Sequence, residues 1–284
     1  MADFFKRLGD ELFSKVNLNI TRNLNGKAIS VPLINGVRVG VSGEKWMSGV
    51  LQEIFRYASG GAFYDVGINL GQTLIKVMTL QENRKYVGFE PNPSCLYYID
   101  HLVAANGWKN AVILPVGLAD TDRLLRLYGH DSTDPESTIV EELKPDGPIV
   151  SKFVPVFRHD SIQGDFLNER VSVVKIDVEG AELEVVKSLQ NLIERDRPII
   201  IMEVLPNDQE NLLKASRSRK MVDTVKAFHY SFYRIIKTPD DRYAGIAAVD
   251  DVGDYRDPVM KDHVVLPDEQ VKDIAAILTI LNGD

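Results

Sequence analysis

The stretch FYDVGINLGQT, residues 63–73, decides the fold. It begins within residues 62–66, which are typical of a short buried strand, and it leads into residues 71–80, which carry a helical pattern. Between strand and helix, Gly67 and Gly71 allow a tight turn and a close approach of the backbone to a ligand. The stretch therefore predicts a strand, a glycine turn and a helix, which is the repeating unit of an α/β sheet.

The same alternation continues towards the C-terminus. We predict further core strands at 86–89, 111–116, 171–176 and 198–204 and further helices at 93–106 and 181–193. Because these strands are apolar on both faces, the pattern is typical of a mostly parallel sheet with helices on both faces. A helix near 208–228, strands at 232–236 and 245–249, and a last helix near 268–281 could complete the same sheet.

The N-terminal segment does not follow this alternation. Residues 4–16 carry the apolar stripe of an amphipathic helix, which could cap the domain or pack in a homodimer interface. Short β-prone pieces at 28–34 and 37–41 indicate a hairpin-like lead-in, and a short helix is predicted near 46–57. Residues 1–60 are therefore expected to form an appended segment.

A polar insertion interrupts the second half of the sheet. Residues 130–146 are rich in Asp, Ser, Thr, Pro and Gly, and they separate strands predicted at 124–128 and 153–157. We therefore expect one main domain over residues 61–284, with an insertion at about 121–157.

Composition narrows the classes of function. Of the 284 residues 44% are hydrophobic, which suffices for a globular core, and the net charge of −8 argues against broad binding to nucleic acid or anionic membranes. The single cysteine, Cys95, can form no internal disulfide. No run approaches the roughly 20 apolar residues that span a bilayer, and no secretory signal is evident at the start. A cytoplasmic protein without stable membrane insertion is expected, and the five scattered histidines predict no zinc site.

The turns after the first two core strands point to an adenosine-containing ligand. The dinucleotide fingerprint G-x-G-x-x-G is broken by Asn69 and Gln72, and Asp65 would repel a pyrophosphate. Glu90 follows the second strand. Its separation from Gly67 in the sequence is about that at which a carboxylate accepts hydrogen bonds from both ribose hydroxyls. Asn92, between two prolines, is held near the expected adenosine site.

The string VVKIDVEGAE, residues 173–182, ends the fourth core strand with several charged residues. Lys175 and Asp177 share a strand face, and Asp177 could bind an ammonium group or accept a proton from an attacking hydroxyl. A divalent cation held by Asp177, Glu179 and Glu203 is an alternative to ordinary ion pairing with Lys175 or Arg197, and we predict no metal.

In this order, these motifs resemble the FkbM family of S-adenosylmethionine-dependent methyltransferases, over residues 62 to about 206. The resemblance implies a seven-stranded, mostly parallel, Rossmann-like class I methyltransferase sheet, and methyl transfer to oxygen, most often to a sugar or natural-product hydroxyl. It also implies contacts to the methionine part of S-adenosylmethionine, to its ribose through Glu90 and to its adenine near Leu118. The residues implied around the methionine part are Asp65, Gly67, Asn69 and Gly71.

The resemblance extends into the insertion and the strand that follows it. Ser137 and Thr138 look like the short Ser/Thr motif of the family's insertion. His159 stands at residues 159–162 where the family usually has Leu-Asp-Asp-Leu, and it is a departure from that motif. The insertion could act as a lid over the acceptor.

These observations favour an O-methyltransferase for a carbohydrate or small-molecule hydroxyl, with S-adenosylmethionine as cofactor and no nucleic-acid partner. Asp177 is the first candidate for the catalytic base, Glu203 and His159 are alternatives, and Lys175 could orient the acceptor. Two other hypotheses stay open. One is a nicotinamide-dependent oxidoreductase or epimerase, which the broken glycine fingerprint and a missing Tyr-x-x-x-Lys pair disfavour, and the other is a non-catalytic protein that keeps the cofactor site as a scaffold.

Overall fold

A computed structural model describes residues 17–204, 212–250, 252 and 258–278 of the chain. The amphipathic helix predicted over residues 4–16 lies outside the described residues. No helix of the described part is long and apolar enough to cross a membrane.

An eight-stranded sheet forms the centre of the molecule. The bounds of its strands are, in chain order, β3 Ala62–Val66, β4 Tyr86–Phe89, β5 Ala111–Leu114, β9 Val171–Ile176, β10 Ile199–Glu203, β11 Tyr230–Lys237, β12 Tyr243–Ala248 and β13 Asp262–Pro267. In space these strands lie in the order β12-β11-β13-β10-β9-β3-β4-β5. The parallel part of the sheet consists of the neighbouring strands β10, β9, β3, β4 and β5. Strand β13 is antiparallel to both its neighbours, and β12 is antiparallel to β11. The prediction of a mostly parallel α/β sheet is confirmed, with one strand more than expected.

Helices cover both faces of this sheet. The first face is packed by α1 Lys45–Tyr57, α2 Gln72–Leu80, α3 Pro93–Asn106 and α7 Val271–Leu278, and the second by α4 Glu182–Ser188, α5 Gln190–Asp196 and α6 Leu212–Ala227. Phe63 faces α1 to α3, and Tyr64 belongs to the buried cluster on the opposite face. Because strand side chains alternate between faces, Asp65 shares the face of Phe63.

The N-terminal hairpin differs from its prediction. Strand β1 is Leu18–Leu24 and β2 is Lys27–Leu33, and they pair across the turn at Asn25 and Gly26. The prediction of a strand at 37–41 is wrong. Val37 forms one isolated bridge, but the backbone N–H of Val39 donates to the side-chain hydroxyl of Tyr98 at 2.9 Å and to no strand. The division at residue 60 stays a prediction.

The insertion builds a small sheet of its own. Its strands are β6 Gly117–Leu118, β7 Arg123–Gly129 and β8 Val150–Phe157, and their spatial order is β6-β8-β7. The polar stretch between β7 and β8 folds back, so that the backbone groups of Thr138 and Tyr128 bond to each other at 2.9 Å. The insertion therefore lies at the carboxyl end of β5, where the sheet ends.

Two further elements depart from the sequence predictions. The helix expected over 181–193 is two short helices, α4 and α5, which meet at Leu189. Strand β13 was not predicted, because its run DHVVLP contains only three consecutive apolar residues before a proline. All six residues of β13 are buried, since the strand inserts between β10 and β11.

Candidate active site

The loop after β3 is shaped by three residues with left-handed backbone conformations. Gly67 has φ +87°, Asn69 +52° and Gly71 +89°. A Cβ added at Gly67 would lie 1.9 Å from the carbonyl oxygen of Asp177, so the loops after β3 and β9 meet at van der Waals distance. Only glycine fits at this position.

The carboxylate of Glu90 joins this loop to the end of β4. It accepts hydrogen bonds from the backbone N–H groups of Asn69 and Asn92, each at 2.8 Å. Burial raises the pKa of Glu90 to about 7, although these two N–H groups act in the opposite direction. The carboxylate is therefore held in a defined position by two main-chain donors at the carboxyl edge of the sheet.

Asn92 fixes the corner between β4 and α3. Its side chain caps α3 by accepting from the Ser94 N–H at 3.1 Å, and the same oxygen accepts from the ammonium of Lys152 at 2.9 Å. The Asn92 amide donates in turn to the carbonyl of Ser132 at 3.0 Å. Lys152 and Ser132 belong to the insertion, so this corner ties the insertion to the sheet.

A cavity opens over these loops at the carboxyl ends of the strands, where open α/β sheets bind their ligands. One wall is apolar, the Glu90 end and the Asp177 end carry the charged groups, and the insertion contributes Asp134, Pro135, Ser137 and Ile139. Residues of the apolar wall are Val66, Phe89, Pro91, Leu118, Leu127 and Val156.

A lysine lies between two carboxylates behind the cavity. The ammonium of Lys175 is 2.9 Å from Asp177 and 3.5 Å from Asp65. Burial opposes its charged form, but the carboxylates of Asp177 and Asp65 outweigh burial and raise the pKa of Lys175. The Tyr86 hydroxyl also donates to Asp65. Asp65 is fully buried, and burial raises its pKa.

Three carboxylates converge at the ends of β9 and β10. Ligand oxygens of Asp177, Glu179 and Glu203, which we call the acidic cluster, all lie within 4.8 Å of one another. Burial raises the pKa of Glu179 to about 7, with Asp177 contributing, and burial also raises the pKa of Glu203. The Glu203 carboxylate is paired with Lys261 at 2.7 Å.

Glu179 and Gly180 form the turn that leads from β9 into α4. Glu179 has φ +51°, which is uncommon for a residue other than glycine, and Gly180 has φ +98°. A Cβ at Gly180 would lie 2.4 Å from a methyl carbon of Leu143, which belongs to the insertion. The turn therefore aims Glu179 at the cavity and leaves room for the insertion to pack on it.

The methyltransferase FkbM domain matches residues 65–236 of this sequence. The chain belongs to the FkbM methyltransferase family. The match covers the glycine loop, Glu90, the insertion and the acidic cluster, so the FkbM domain contains every part of the cavity described above. None of the curated proteins compared with the chain shows significant similarity.

Two solved structures show distant similarity to this FkbM domain. Methyltransferase FkbM from Methylobacillus flagellatus KT is 13% identical with a TM-score of 0.45, and the alignment covers 73% of this chain and 43% of that one. Precorrin-6y C5,15-methyltransferase from Geobacter metallireducens GS-15 is 14% identical with a TM-score of 0.39, and 77% and 84% are covered. This chain thus spans less than half the length of the first structure, and its family assignment rests on the domain match.

The structure brings most of the predicted site residues of the FkbM domain to one cavity. The predicted residues that line it are Gly67, Asn69, Glu90, Asn92, Leu118 and Asp177. Asp65 and Lys175 lie behind this lining, where Lys175 pairs with both Asp177 and Asp65. Glu203 lies next to the lining residues Asp177 and Glu179, with which it forms the acidic cluster.

Gly71 and His159 are placed differently. A Cβ at Gly71 would lie 2.9 Å from a methyl carbon of Leu102, so Gly71 allows α2 to pack closely on α3 and does not line the cavity. His159 is buried, and its ring lies 5.8 Å from the ring of Tyr64 between centroids. Tyr64 packs on the face of α4 and α5, so His159 is not among the residues that line the cavity.

Several residues of the site were missed by the sequence analysis. Arg197, a suggested partner of the carboxylates, pairs instead with Glu269 at 2.8 Å, and Lys261 takes this role for Glu203. Lys261 immediately precedes β13, and recognising that strand would have placed it beside β10. Tyr86 was missed because its hydroxyl donates to Asp65 on the neighbouring strand, a contact that depends on the pairing of β3 with β4.

Proposed function

We propose that this FkbM-family protein is an S-adenosylmethionine-dependent O-methyltransferase that acts on a hydroxyl of a sugar in a glycan or related metabolite. The observation that carries the proposal is one cavity lined by Glu90 after β4, the glycine loop after β3 and Asp177 after β9, which are neighbouring strands of the sheet. The carboxylates of Glu90 and Asp177 suit a ribose and an acceptor hydroxyl, respectively.

The residues of the cavity fit S-adenosylmethionine. Glu90 uses its two oxygens for backbone donors but retains lone pairs for the two ribose hydroxyls. Leu118, Pro91 and Phe89 offer an apolar surface to an adenine ring, and the backbone of the glycine loop at Gly67 and Asn69 lines the cavity where the methionine part would lie. When bound, S-adenosylmethionine supplies an activated methyl group on a positively charged sulfur, which the nearby carboxylates favour electrostatically.

The chain has to position the acceptor oxygen and receive its proton. Asp177 is the proposed base, because its carboxylate lies in the cavity lining and is held from behind by Lys175 at 2.9 Å. Lys175 is buried, and its raised pKa keeps it protonated. It therefore orients Asp177 and polarises an acceptor hydroxyl that is bound to the Asp177 carboxylate. Glu179 is a second candidate for the base, because it also lines the cavity and its pKa of about 7 suits proton acceptance near neutrality.

Cofactor binding is the first test of this proposal. Titration calorimetry with S-adenosylhomocysteine should show binding to the wild-type protein and at least about tenfold weaker binding to Glu90→Ala, since hydrogen bonds to a charged group are lost. Glu194→Ala is the matched control, because Glu194 is exposed on α5. Absence of binding to the wild-type protein would refute the proposal.

Methyl transfer is the second test. Isotopically labelled S-adenosylmethionine is incubated with the protein and an extract of the source cells, which is then fractionated into glycan, small-molecule, protein and nucleic-acid pools. Label in the carbohydrate pool supports the proposal. Label only in another pool refutes a sugar acceptor, and cofactor binding without any transfer supports the scaffold hypothesis instead.

A further inference from the structure

A second groove lies on the face of the molecule covered by α1 and α2. It has a volume of about 500 Å³ and is formed by the β1–β2 hairpin, the segment 38–43 and the start of α1. Lys76 of α2 and Arg242, next to the start of β12, complete the wall. No residue of this groove lines the cavity described above.

The groove is positively charged although the chain has a net charge of −8. None of the described residues that line it is an aspartate or glutamate, and five carry positive charge, namely Arg22, Arg38, Lys45, Lys76 and Arg242. The arginine side chains present planar donors that match phosphate oxygens, and the lysines act as point charges. Such a lining favours a ligand with more than one negative charge.

Three of these cations have no carboxylate within ion-pairing distance in the described part of the chain. Arg22 donates to the carbonyl of Thr21 at 3.2 Å and Lys45 to that of Asp240 at 3.2 Å, and Arg38 is exposed. Arg242 is paired with Asp240 at 2.8 Å. The groove therefore retains an excess of positive charge beyond its own ion pairs.

Lys76 forms the rear wall of the groove and connects it to the active site. Its side chain is 1% exposed, and its ammonium lies 3.4 Å from the carboxylate of Glu44. Burial lowers the pKa of Lys76, Glu44 opposes this effect, and Lys175 lowers the pKa further. Glu44 in turn raises the pKa of Lys175, so the three groups lie within electrostatic range of one another.

The backbone reinforces this connection. A Cβ at Gly43, which lines the groove, would lie 2.7 Å from the side-chain amide of Gln72, in the first turn of α2. Helix α2 follows the glycine loop directly, so the groove wall packs on the element that positions Gly67. A ligand that extends from the groove along α2 would approach the end of the sheet where Lys175 and Asp177 lie.

We propose that this groove binds a phosphate or diphosphate group carried by the small molecule that is methylated. This inference rests on the proposed function, because it takes the ligand to be the acceptor. Arg22, Arg38 and Lys45 bind the phosphate oxygens from the rim, and Lys76 supplies a buried positive charge behind them. The acceptor class is then a phosphorylated or nucleotide-linked sugar whose hydroxyl reaches Asp177.

Binding of inorganic pyrophosphate tests the groove directly. Titration calorimetry at low salt should show pyrophosphate binding that weakens at least about tenfold in Arg38→Glu, because charge-assisted hydrogen bonds are lost and repulsion is added. Arg38→Gln should give a smaller loss. Lys109→Glu is the matched control, since Lys109 is exposed before β5, at the opposite edge of the sheet, and should leave binding unchanged. Equal affinity in wild type and Arg38→Glu, or no binding at all, would overturn the inference.

A second measurement separates the groove from the cofactor site. Arg38→Glu should retain wild-type affinity for S-adenosylhomocysteine, which also shows that it is folded, and Glu90→Ala should retain its affinity for pyrophosphate. If the wild-type protein binds S-adenosylhomocysteine but not pyrophosphate, the groove is overturned and the proposed function stands. If it binds pyrophosphate but not S-adenosylhomocysteine, the proposed function is overturned and the anion-binding groove stands.

The source of the phosphate is decided by two further probes. Uridine diphosphate glucose should compete with pyrophosphate, and phosphatidylserine vesicles should not bind. Vesicle binding that Arg38→Glu abolishes, without competition by uridine diphosphate glucose, would overturn the assignment of a soluble ligand.

Discussion

The two ends of the cavity are held in different ways. At one end, the Glu90 carboxylate is fixed by two backbone N–H groups. At the other, Asp177 and Glu203 are each paired with a lysine side chain, and Glu179 is raised in pKa by burial and by its neighbour Asp177. Backbone donors keep their positions as long as the fold persists, whereas each of these ion pairs is lost when one of its side chains is substituted. The Glu90 end is therefore preset, and the acidic cluster is tunable.

The largest expected effect of breaking this difference is on turnover at the tunable end. Asp177→Asn removes the proposed base but keeps the size of the side chain, and we expect methyl transfer to fall by about 10²–10⁴-fold. The affinity for S-adenosylhomocysteine, which lacks the positively charged sulfur, should change less than the rate, because the Glu90 end is untouched. Single-turnover transfer into the labelled acceptor pool measures the rate, with Asp273→Asn on α7 as the control. An unchanged rate for Asp177→Asn would show that another group receives the proton.

The next largest effect is on stability at the glycine loop, which lies between the two ends. Gly67→Ala introduces a Cβ at 1.9 Å from a backbone oxygen and a strained positive φ, and we expect a loss of about 3 kcal/mol or more in the free energy of unfolding. Gly26→Ala is the matched control, because Gly26 has φ +78° but nothing within 4 Å of its Cβ, so strain alone should cost about 1 kcal/mol. Urea denaturation compares the two. Equal losses would mean that the close approach to Asp177 is not maintained in solution.

The smallest effect concerns the pH response of Glu179. Its pKa is about 7 in the folded protein against an ordinary value of 4.5, so the folded state holds this proton more tightly than the unfolded state does. The resulting destabilisation is absent below pH 4.5, grows as the pH rises, and is complete above about pH 7. Glu179→Gln should therefore stabilise the protein by about 1 kcal/mol at pH 8 and leave it unchanged at pH 4.5.

Urea titrations of Glu179→Gln and of the exposed control Glu194→Gln at both pH values measure this difference. Stabilisation of the same size at pH 4.5 would contradict the raised pKa and remove Glu179 as a candidate base.

The sequence predicted the parts of the fold that depend on local periodicity. The strand and helix around Gly67 and the helix over 93–106 lie where expected, because each has an apolar pattern and a clear end signal such as Gly107. The structures of strand β13 and of residues 37–41 could not be predicted from local periodicity, because they depend on partners that are distant in the sequence. Val39 bonds to a tyrosine of α3, and β13 exists only as an insert between two other strands.

The same distinction applies to the site. That Glu90 and Asp177 meet at one cavity was predictable, since parallel strands end at a common edge. The role of Lys261 was not, because it depends on β13 running antiparallel beside β10. His159 was predicted as a site residue because it follows the insertion in the sequence. The turn at His159 instead places its ring beneath α4 and α5, against Tyr64.

The contact between Leu143 and Gly180 has a practical consequence for redesign. The insertion touches the turn after β9 through an apolar methyl group that occupies the space a Gly180 side chain would need. A loop grafted from a relative therefore has to bring a branched apolar residue to this position and also replace the contacts of Lys152 and Ser132 with Asn92. A graft that meets both conditions leaves the glycine loop and Glu90 unchanged.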